Sequence, residues 1–205
     1  PGIQGGVETH CEELYPLIAD KQHEIIVVRR PYYAVDHSVK VYKQVIIKDI
    51  RVLRNKHLEA FIHTFLAVLY ARKVKADIVH IHAEGPAFFS WIPKLFHKKI
   101  VVTVHGLDWQ REKWKGGFGA KFIRKGEENA VKYADEIIVL SKNVEQYFKT
   151  RYNRITRFIP NGVNRPTIRK ADRIRSVYGL EKNGYILFLG RLVPEKGIMY
   201  LIEAF

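Results

Sequence analysis

The sequence predicts an α/β protein with a doubly wound parallel sheet. Short runs rich in Val and Ile recur along the chain and are apolar almost throughout, a pattern typical of parallel strands covered on both faces. Stretches with apolar residues at helical spacing lie between most of these runs. Strand and helix therefore alternate, as they do in proteins that pack helices on both sides of a parallel sheet.

Each element is predicted from its own pattern. The strand-like segments are residues 24–28, 45–47, 77–81, 100–104, 136–140, 157–159 and 185–189. Two sets of apolar residues at helical spacing predict amphipathic helices: Leu58, Phe61, Ile62, Phe65 and Leu69, and then Phe122, Ile123, Val131 and Ala134.

Length and composition fit one domain and part of a second. The 205 residues are 47% hydrophobic, which is enough for one substantial core. The sequence has neither an apolar run of 18 residues nor a signal-peptide pattern, so it predicts no membrane span. Cys11 is the single cysteine, which excludes an internal disulfide framework and a cysteine-rich metal site. We therefore expect a cytoplasmic protein.

The net charge is strongly positive. Thirty-five Lys and Arg against 21 Asp and Glu give +14, which favours nucleic acid, acidic lipid surfaces or phosphorylated substrates as partners. The basic residues are dispersed, with concentrations at 111–125 and 165–175, and no RNA-recognition or zinc-finger signature accompanies them. A solvated basic surface explains the charge equally well.

Polar residues follow the predicted strands. In open α/β sheets ligands bind beyond the carboxyl ends of the strands, so these residues form the candidate site. They are His80 and His82; His105, Gly106 and Asp108; Ser141; Asn161 and Gly162; and Gly190, Arg191, Glu195, Lys196 and Gly197.

The sequence leaves a dinucleotide-binding enzyme open and disfavours metal chemistry. The first glycines are spaced G-x-x-G-G rather than G-x-G-x-x-G, and Arg29 and Arg30 stand where an acid would bind ribose, although Arg could accept a phosphorylated ribose. We predict that His80 and His82 point to opposite faces of their strand and cannot share a metal ion. A G-x-S-x-G hydrolase motif is also missing.

An ordered set of motifs resembles glycosyltransferase family 4. The motifs are GGVE, DIVHIHA, VVTVHGLDWQREKW, ADEIIVLS, PNGV and LFLGRLVPEKGI, and they cover nearly the whole chain. The resemblance implies a retaining, nucleotide-sugar-dependent transferase of the GT-B fold. The run VHGLDWQREKW is similar to a branch that acts in bacterial surface polysaccharide or glycolipid assembly.

The resemblance also implies a domain organisation. Residues 1–160 would form the N-terminal, acceptor-side Rossmann-like domain, residues 161–183 the hinge and crossover, and residues 184–205 the start of the C-terminal donor-binding domain. In the family a central strand precedes the GGVE loop, and a pair of glutamates seven residues apart completes the donor site. We therefore expect a fragment that lacks that strand and most of the second domain and is inactive by itself.

Residue roles follow from the resemblance, position by position. Arg191 and Lys196 match the pair that neutralises the diphosphate, and His105 matches a histidine that orients the transferred sugar. The expected substrate-binding residues are Gly5, Gly6, Glu8, Gly106, Asp108, Trp109, Arg111, Ser141 and Asn161. Two of these have a structural alternative, because Trp109 could pack a helix onto the core and Glu8 could stabilise the start of a helix.

The expected partners are a nucleotide sugar and a carbohydrate or lipid-linked acceptor. We expect no cofactor beyond the donor substrate, no metal ion and no nucleic acid, and the charge is compatible with peripheral contact at the inner face of an anionic membrane. The alternative from another class is a non-catalytic α/β module that binds polyanions.

Overall fold

The fold is known from a computed structural model that describes residues 5–19, 23–55, 58–110, 117–190 and 192–205. Within these residues the chain divides into two compact units. The first contains residues 5–110 and 117–161, and the second contains residues 162–205.

Strands and helices alternate along the first unit. Its strands are β1 (Ile26–Arg29), β2 (Val41–Tyr42), β3 (Val45–Asp49), β4 (Ile78–His82), β5 (Lys99–Val104), β6 (Glu136–Val139) and β7 (Arg157–Phe158). Its helices are α1 (Gly6–Ala19), α2 (Glu59–Lys73), α3 (Glu84–Ala87), α4 (Trp91–Leu95), α5 (Phe118–Tyr133) and α6 (Lys142–Tyr152). The predicted strands before residue 160 and both predicted amphipathic helices, α2 and α5, are confirmed.

The strands of this unit form two sheets. The larger sheet is parallel, with the order β4-β5-β6-β7. The smaller has the order β1-β3-β2, in which β1 and β3 are parallel and β2 is an antiparallel edge strand. A tight turn joins β2 to β3 through Lys43 and Gln44, both with positive φ, and the sequence reading missed this hairpin.

The main core lies around the two central strands of the larger sheet. Ile100, Val102 and Val104 of β5 are at most 1% exposed, as expected for a parallel strand covered on both faces. Helix α5 contributes Ala130 to this cluster, and α6 contributes Phe148. The apolar run that predicted the strand is therefore the centre of the unit.

Helix α1 connects the two sheets. Tyr15 and Ala19 pack against Val45 and Ile47 of β3 in a second apolar cluster. The hydroxyl group of Tyr15 reaches in the other direction, to the histidines of β4. A single side chain thus contacts both sheets.

The second unit differs from the prediction. It contains α7 (Asp172–Tyr178), a 3-10 turn at Pro194–Lys196 and α8 (Ile198–Ala204), but residues 185–189 form no strand. The strand predicted at 185–189 is wrong, because a strand needs a hydrogen-bonded neighbour and the described residues of this unit provide none. Gly197, with φ 66°, immediately precedes α8.

Helices α3 and α5 approach closely at Gly126. A Cβ atom on Gly126 would lie 1.9 Å from the carbonyl oxygen of Glu84, which is closer than any real contact. Gly85, in α3 of the same interface, has room, since its Cβ would meet only the Phe122 ring at 3.9 Å. The backbone of α3 therefore determines that residue 126 is glycine.

We expect Gly126→Ala to destabilise the protein by about 1–3 kcal/mol, because two helix backbones must separate to admit the methyl group. Gly85→Ala is the matched control and should be neutral or slightly stabilising, since alanine favours a helix. Urea unfolding of both variants in the intact protein measures the difference. Equal stabilities for the two variants would contradict the close approach.

Candidate active site

The candidate site lies beyond the carboxyl ends of β4 and β5. His82 is the last residue of β4 and pairs with Thr103 of β5. One strand later, His105 and Gly106 follow the end of β5. The parallel pairing brings these strand ends to the same edge, where ligands of open α/β sheets bind.

Five side chains form a continuous line of hydrogen bonds that we call the histidine chain. Thr103 Oγ1 lies 2.7 Å from His80 Nε2, and His80 Nδ1 lies 3.0 Å from the Tyr15 hydroxyl. The same hydroxyl lies 2.6 Å from His82 Nε2, and His82 Nδ1 lies 3.0 Å from His105 Nε2. The chain runs from a buried threonine in β5 to the predicted catalytic histidine.

The orientation predicted for His80 and His82 is wrong. Their rings lie on the same side of β4, with centroids 4.3 Å apart, and both contact Tyr15. Side chains of a strand alternate with a period of two, so residues two apart share a face. Among the described residues, no three His, Cys, Asp or Glu side chains are placed to hold a metal ion.

The histidines of the chain are neutral near pH 7. Burial, together with a smaller effect of the neighbouring histidines, lowers the pKa of His80 to about 4, that of His82 to about 2 and that of His105 to about 4. Glu8 acts in the opposite direction on the pKa of His105, with a smaller effect. The site therefore offers hydrogen-bonding groups without a fixed positive charge at this point.

His10 links Asn161 to the histidine chain. Its ring lies edge-on to the rings of His82 and His105, with centroids 5.5 and 5.2 Å away. His10 Nδ1 lies 2.9 Å from Asn161 Oδ1, and because an amide oxygen can only accept, His10 donates. Two predicted site residues, His105 and Asn161, thus both contact the imidazole of His10.

The predicted glycines border this group. Gly6 is exposed, with nothing within 4 Å of the position a Cβ would take, and it begins α1. Gly106 has φ +148°, a conformation that favours glycine, and the space beside it is also open. A Cβ on Gly5 would lie 2.1 Å from Glu8 Oε2, so the Glu8 side chain folds back over the start of its own helix.

A buried carboxyl pair supports the loop after β5. The pair is Glu84, in α3, and Glu127, in α5, and both residues are fully buried. Glu84 Oε2 accepts the backbone N–H of Asp108 at 2.8 Å. Glu127 accepts the indole N–H of Trp109 at 3.0 Å, and it also accepts the hydroxyl groups of Tyr147 and Tyr152.

One carboxyl of this pair holds a proton. Glu84 Oε1 is buried without a hydrogen-bond partner among the described residues, and the neighbouring Glu127 carboxyl favours the protonated form of Glu84. Burial raises the pKa of Glu84 to about 9, and the Glu127 and Asp108 carboxylates add to the rise. We assign the shared proton to Glu84, since Glu127 already accepts three hydrogen bonds.

Trp109 is anchored to the protein interior. In addition to its bond to Glu127, its ring contacts Tyr147 and carries the Arg124 guanidinium 4.5 Å from the ring centroid. These contacts favour the packing alternative for Trp109. Together with the Asp108 amide they hold the segment that follows His105.

The remaining predicted residues lie elsewhere or outside the described ranges. Ser141 caps α6, because its hydroxyl accepts the backbone N–H of Val144 at 3.3 Å. Lys196 is exposed in the 3-10 turn of the second unit. Arg111 and Arg191 lie outside the described residues.

Comparison with known families identifies the chain. The model of Glycosyltransferase Family 4 matches residues 4–165. The chain belongs to this family.

Curated proteins of two organisms resemble the chain over its length. It is 25% identical to an uncharacterized glycosyltransferase of Methanocaldococcus jannaschii, covering 100% of this chain and 56% of that protein. It is also 25% identical to spore coat protein SA of Bacillus subtilis, covering 100% of this chain and 53% of that protein. The chain therefore spans about half the length of the curated relatives it matches.

A solved structure supports the GT-B fold of the family. Sucrose-phosphate synthase from Thermosynechococcus elongatus superposes with a TM-score of 0.74 at 20% identity, covering 98% of this chain and 54% of the synthase. At that identity the likeness concerns the fold alone, and it agrees with the α/β architecture predicted from the sequence.

None of the helices in the described part of the chain has the length and apolar character that crossing a membrane requires.

Sequence reasoning missed several residues of this candidate site. Tyr15, Thr103, His10, Glu84 and Glu127 were not predicted. Tyr15 had the periodicity of a core residue, and Thr103 sat inside an apolar strand. Glu84 had a signal in the sequence, because it lies only two residues after His82, at the end of a strand where ligands of open α/β sheets bind.

We expect the Glu84 proton to make stability depend on pH. The folded state keeps this proton up to about pH 9, whereas the unfolded chain releases it near pH 4 to 5. Between these values the free energy of unfolding of the wild type therefore falls by up to about 1.4 kcal/mol for each pH unit. Glu84→Gln keeps the hydrogen bonds without the titration. Its stability relative to the wild type should therefore rise as the pH increases from 5 to 9.

Urea unfolding at pH 6, 7, 8 and 9 measures this difference. Glu128→Gln, which changes the exposed neighbouring carboxyl of α5, is the control and should show no such slope. A difference between Glu84→Gln and the wild type that stays constant with pH would show that the pair shares no proton.

Proposed function

We propose that the protein is a retaining, metal-independent glycosyltransferase that moves a hexose from a nucleotide-diphosphate sugar to a polysaccharide or glycolipid acceptor. The observation that carries the proposal is the line of neutral histidines that ends at His105, next to the open backbone of Gly106 and beyond the ends of β4 and β5. Family membership supplies the reaction class.

His105 fits an orienting role better than that of a general base. A base is effective when its pKa lies near the working pH, and the burial that lowers the pKa of His105 to about 4 removes most of its proton affinity. A neutral imidazole held by His82 is suited to hydrogen-bond a sugar hydroxyl. We therefore propose that His105 positions the transferred sugar.

Arg191 and Lys196 are proposed to neutralise the diphosphate. Departure of a nucleoside diphosphate leaves negative charge on a phosphate oxygen, and fixed cations lower the energy of that transition state. The exposed Lys196 ammonium is free of any ion pair among the described residues. His80, His82 and His105 carry no charge at neutral pH, so the proposal assigns neutralisation of the diphosphate to Arg191 and Lys196.

The proposed transfer takes place on one face of the sugar. The bond between the anomeric carbon and the phosphate oxygen breaks while the acceptor oxygen bonds to the same carbon from the same side. The acceptor proton passes to the departing phosphate oxygen, so neither a protein nucleophile nor a cofactor is needed. Retention of anomeric configuration follows.

The acceptor is proposed to approach from the side of α1. Gly5, Gly6 and Glu8 lie at the start of that helix, and Asn161 is fixed near it by His10. Gly6 leaves space for a substrate group near backbone N–H groups. Asp108, Trp109, Arg111 and Ser141 remain proposed contacts, with Trp109 acting through the loop that it anchors.

The charge suggests the setting of the reaction. The basic residues between 165 and 175 are exposed, and the chain as a whole carries +14. We propose a cytoplasmic enzyme that contacts the inner face of an anionic membrane peripherally, where a lipid-linked acceptor would be available.

The test is a transfer assay with the intact protein, using uridine, guanosine and thymidine diphosphate sugars with lipid-linked and oligosaccharide acceptors. We expect Lys196→Ala to lower kcat/KM for the donor by about 100-fold or more. Lys182→Ala, an exposed lysine of the same unit, is the matched control and should leave it unchanged.

Proton NMR of the product gives the anomeric configuration. Retention together with loss of activity in Lys196→Ala alone supports the proposal. An inverted product, or equal activity in the two lysine variants, would contradict it.

A further inference from the structure

The hydrogen bonds of the histidine chain can run in two directions. A neutral imidazole has one N–H and one acceptor nitrogen, and a hydroxyl has one proton, so the roles along the chain are linked. If the protons point from Thr103 towards His105, then His105 accepts at Nε2 and carries its own proton on Nδ1. If they point the other way, His105 donates from Nε2 and Nδ1 is a bare acceptor.

Thr103 selects the first direction. The residue is 1% exposed, and its hydroxyl has no hydrogen-bond partner among the described residues other than His80. In the second direction His80 Nε2 would donate to the hydroxyl, and the hydroxyl proton would be buried without an acceptor. A buried unpaired donor carries the full penalty of its lost hydration.

The distances support the same direction independently. Hydrogen bonds donated by hydroxyl groups are shorter than those donated by N–H groups. The two short contacts, 2.7 Å at Thr103 and 2.6 Å between Tyr15 and His82, are those in which a hydroxyl donates when protons point towards His105. The two contacts of 3.0 Å are those in which a histidine N–H donates.

We propose that Thr103, His80, Tyr15 and His82 are positioning residues that hold His105 in its Nδ1–H tautomer, so that His105 donates a hydrogen bond to an oxygen of the transferred sugar. His105 is partly exposed, and among the described residues its hydrogen bond is the one at Nε2. The assignment of a sugar oxygen as the acceptor rests on the proposed function, whereas the assignment of the tautomer does not.

The chain also requires three neutral rings. A protonated ring would donate at both nitrogens, so the bonds between that ring and Thr103 would have to reverse and leave the Thr103 hydroxyl proton buried without an acceptor. The lowered pKa values of His80, His82 and His105 agree with this requirement. Among the described residues, the other titratable groups that act on the histidine chain are His10, Glu8 and Cys11, all on α1.

Nitrogen-15 NMR of the intact protein with labelled histidine, at pH 7 and without ligand, reads the tautomers directly. We expect His80, His82 and His105 to show a protonated Nδ1 and an unprotonated Nε2, the opposite of the tautomer that a histidine side chain favours in water. A protonated Nε2 on His105 would overturn the inference, whatever the enzyme transfers.

Thr103→Val and Thr103→Ser test the origin of the direction. Valine removes the hydroxyl, so the free energies of the two hydrogen-bond directions become more nearly equal. The nitrogen-15 chemical shifts of His105 should then move towards values intermediate between the two tautomers. Serine keeps the hydroxyl and should keep the wild-type shifts. Unchanged His105 shifts in Thr103→Val would show that the threonine does not set the tautomer.

Kinetics connect the tautomer to transfer. We expect Thr103→Val to lower kcat about tenfold or more, with a smaller change in donor KM. Thr64→Val removes a hydroxyl that bonds only within α2, to Ala60, and it is the control that should leave kcat unchanged. A normal kcat in Thr103→Val, with the tautomer altered, would show that the sugar does not need this donor.

Discussion

The hydroxyl group of Tyr15 holds the candidate site together. Its ring packs on β3 in one sheet, and its oxygen contacts His80 and His82 on β4 of the other sheet. Burial raises the pKa of Tyr15 above its usual range, so the group stays protonated and keeps its donor at any physiological pH. The position of α1, and with it the glycines at its start, therefore depends on the same atom that orients His82.

A second polar cluster holds the site from the other side. The buried carboxyl pair fixes the loop after His105, because it accepts one backbone N–H and one indole N–H from that loop. His105 thus lies between a line of neutral rings and a segment fixed by two acids. His80, His82 and His105 are neutral near pH 7 in a chain with a net charge of +14, so the polarity of this part of the site is due to oriented hydrogen bonds.

The fold was largely predictable, because a parallel strand buried on both faces, such as β5, has a continuous run of apolar residues in the sequence. The site was predictable only as a set of loops: the sequence indicated His105 and Gly106 but not Tyr15, since a tyrosine at core spacing does not reveal what its hydroxyl meets. The prediction that His80 and His82 point to opposite faces of β4 was wrong because residues two apart in a strand share a face. The prediction of a strand at 185–189 was wrong for a different reason, since an apolar run forms a strand only when a neighbouring strand can pair with it.

The two clusters meet at Ala83, the residue between His82 and Glu84. Its φ of 74° and ψ of 158° belong to a region that is essentially reserved for glycine, and a side chain there costs about 1–3 kcal/mol. Only firm anchors on both sides can hold such a residue in place. If either His82 or Glu84 is loosened, the backbone between them relaxes and displaces the other, so the effects of changes in the two clusters are not additive. The two polar clusters therefore behave as one thermodynamic unit, coupled through a single strained peptide.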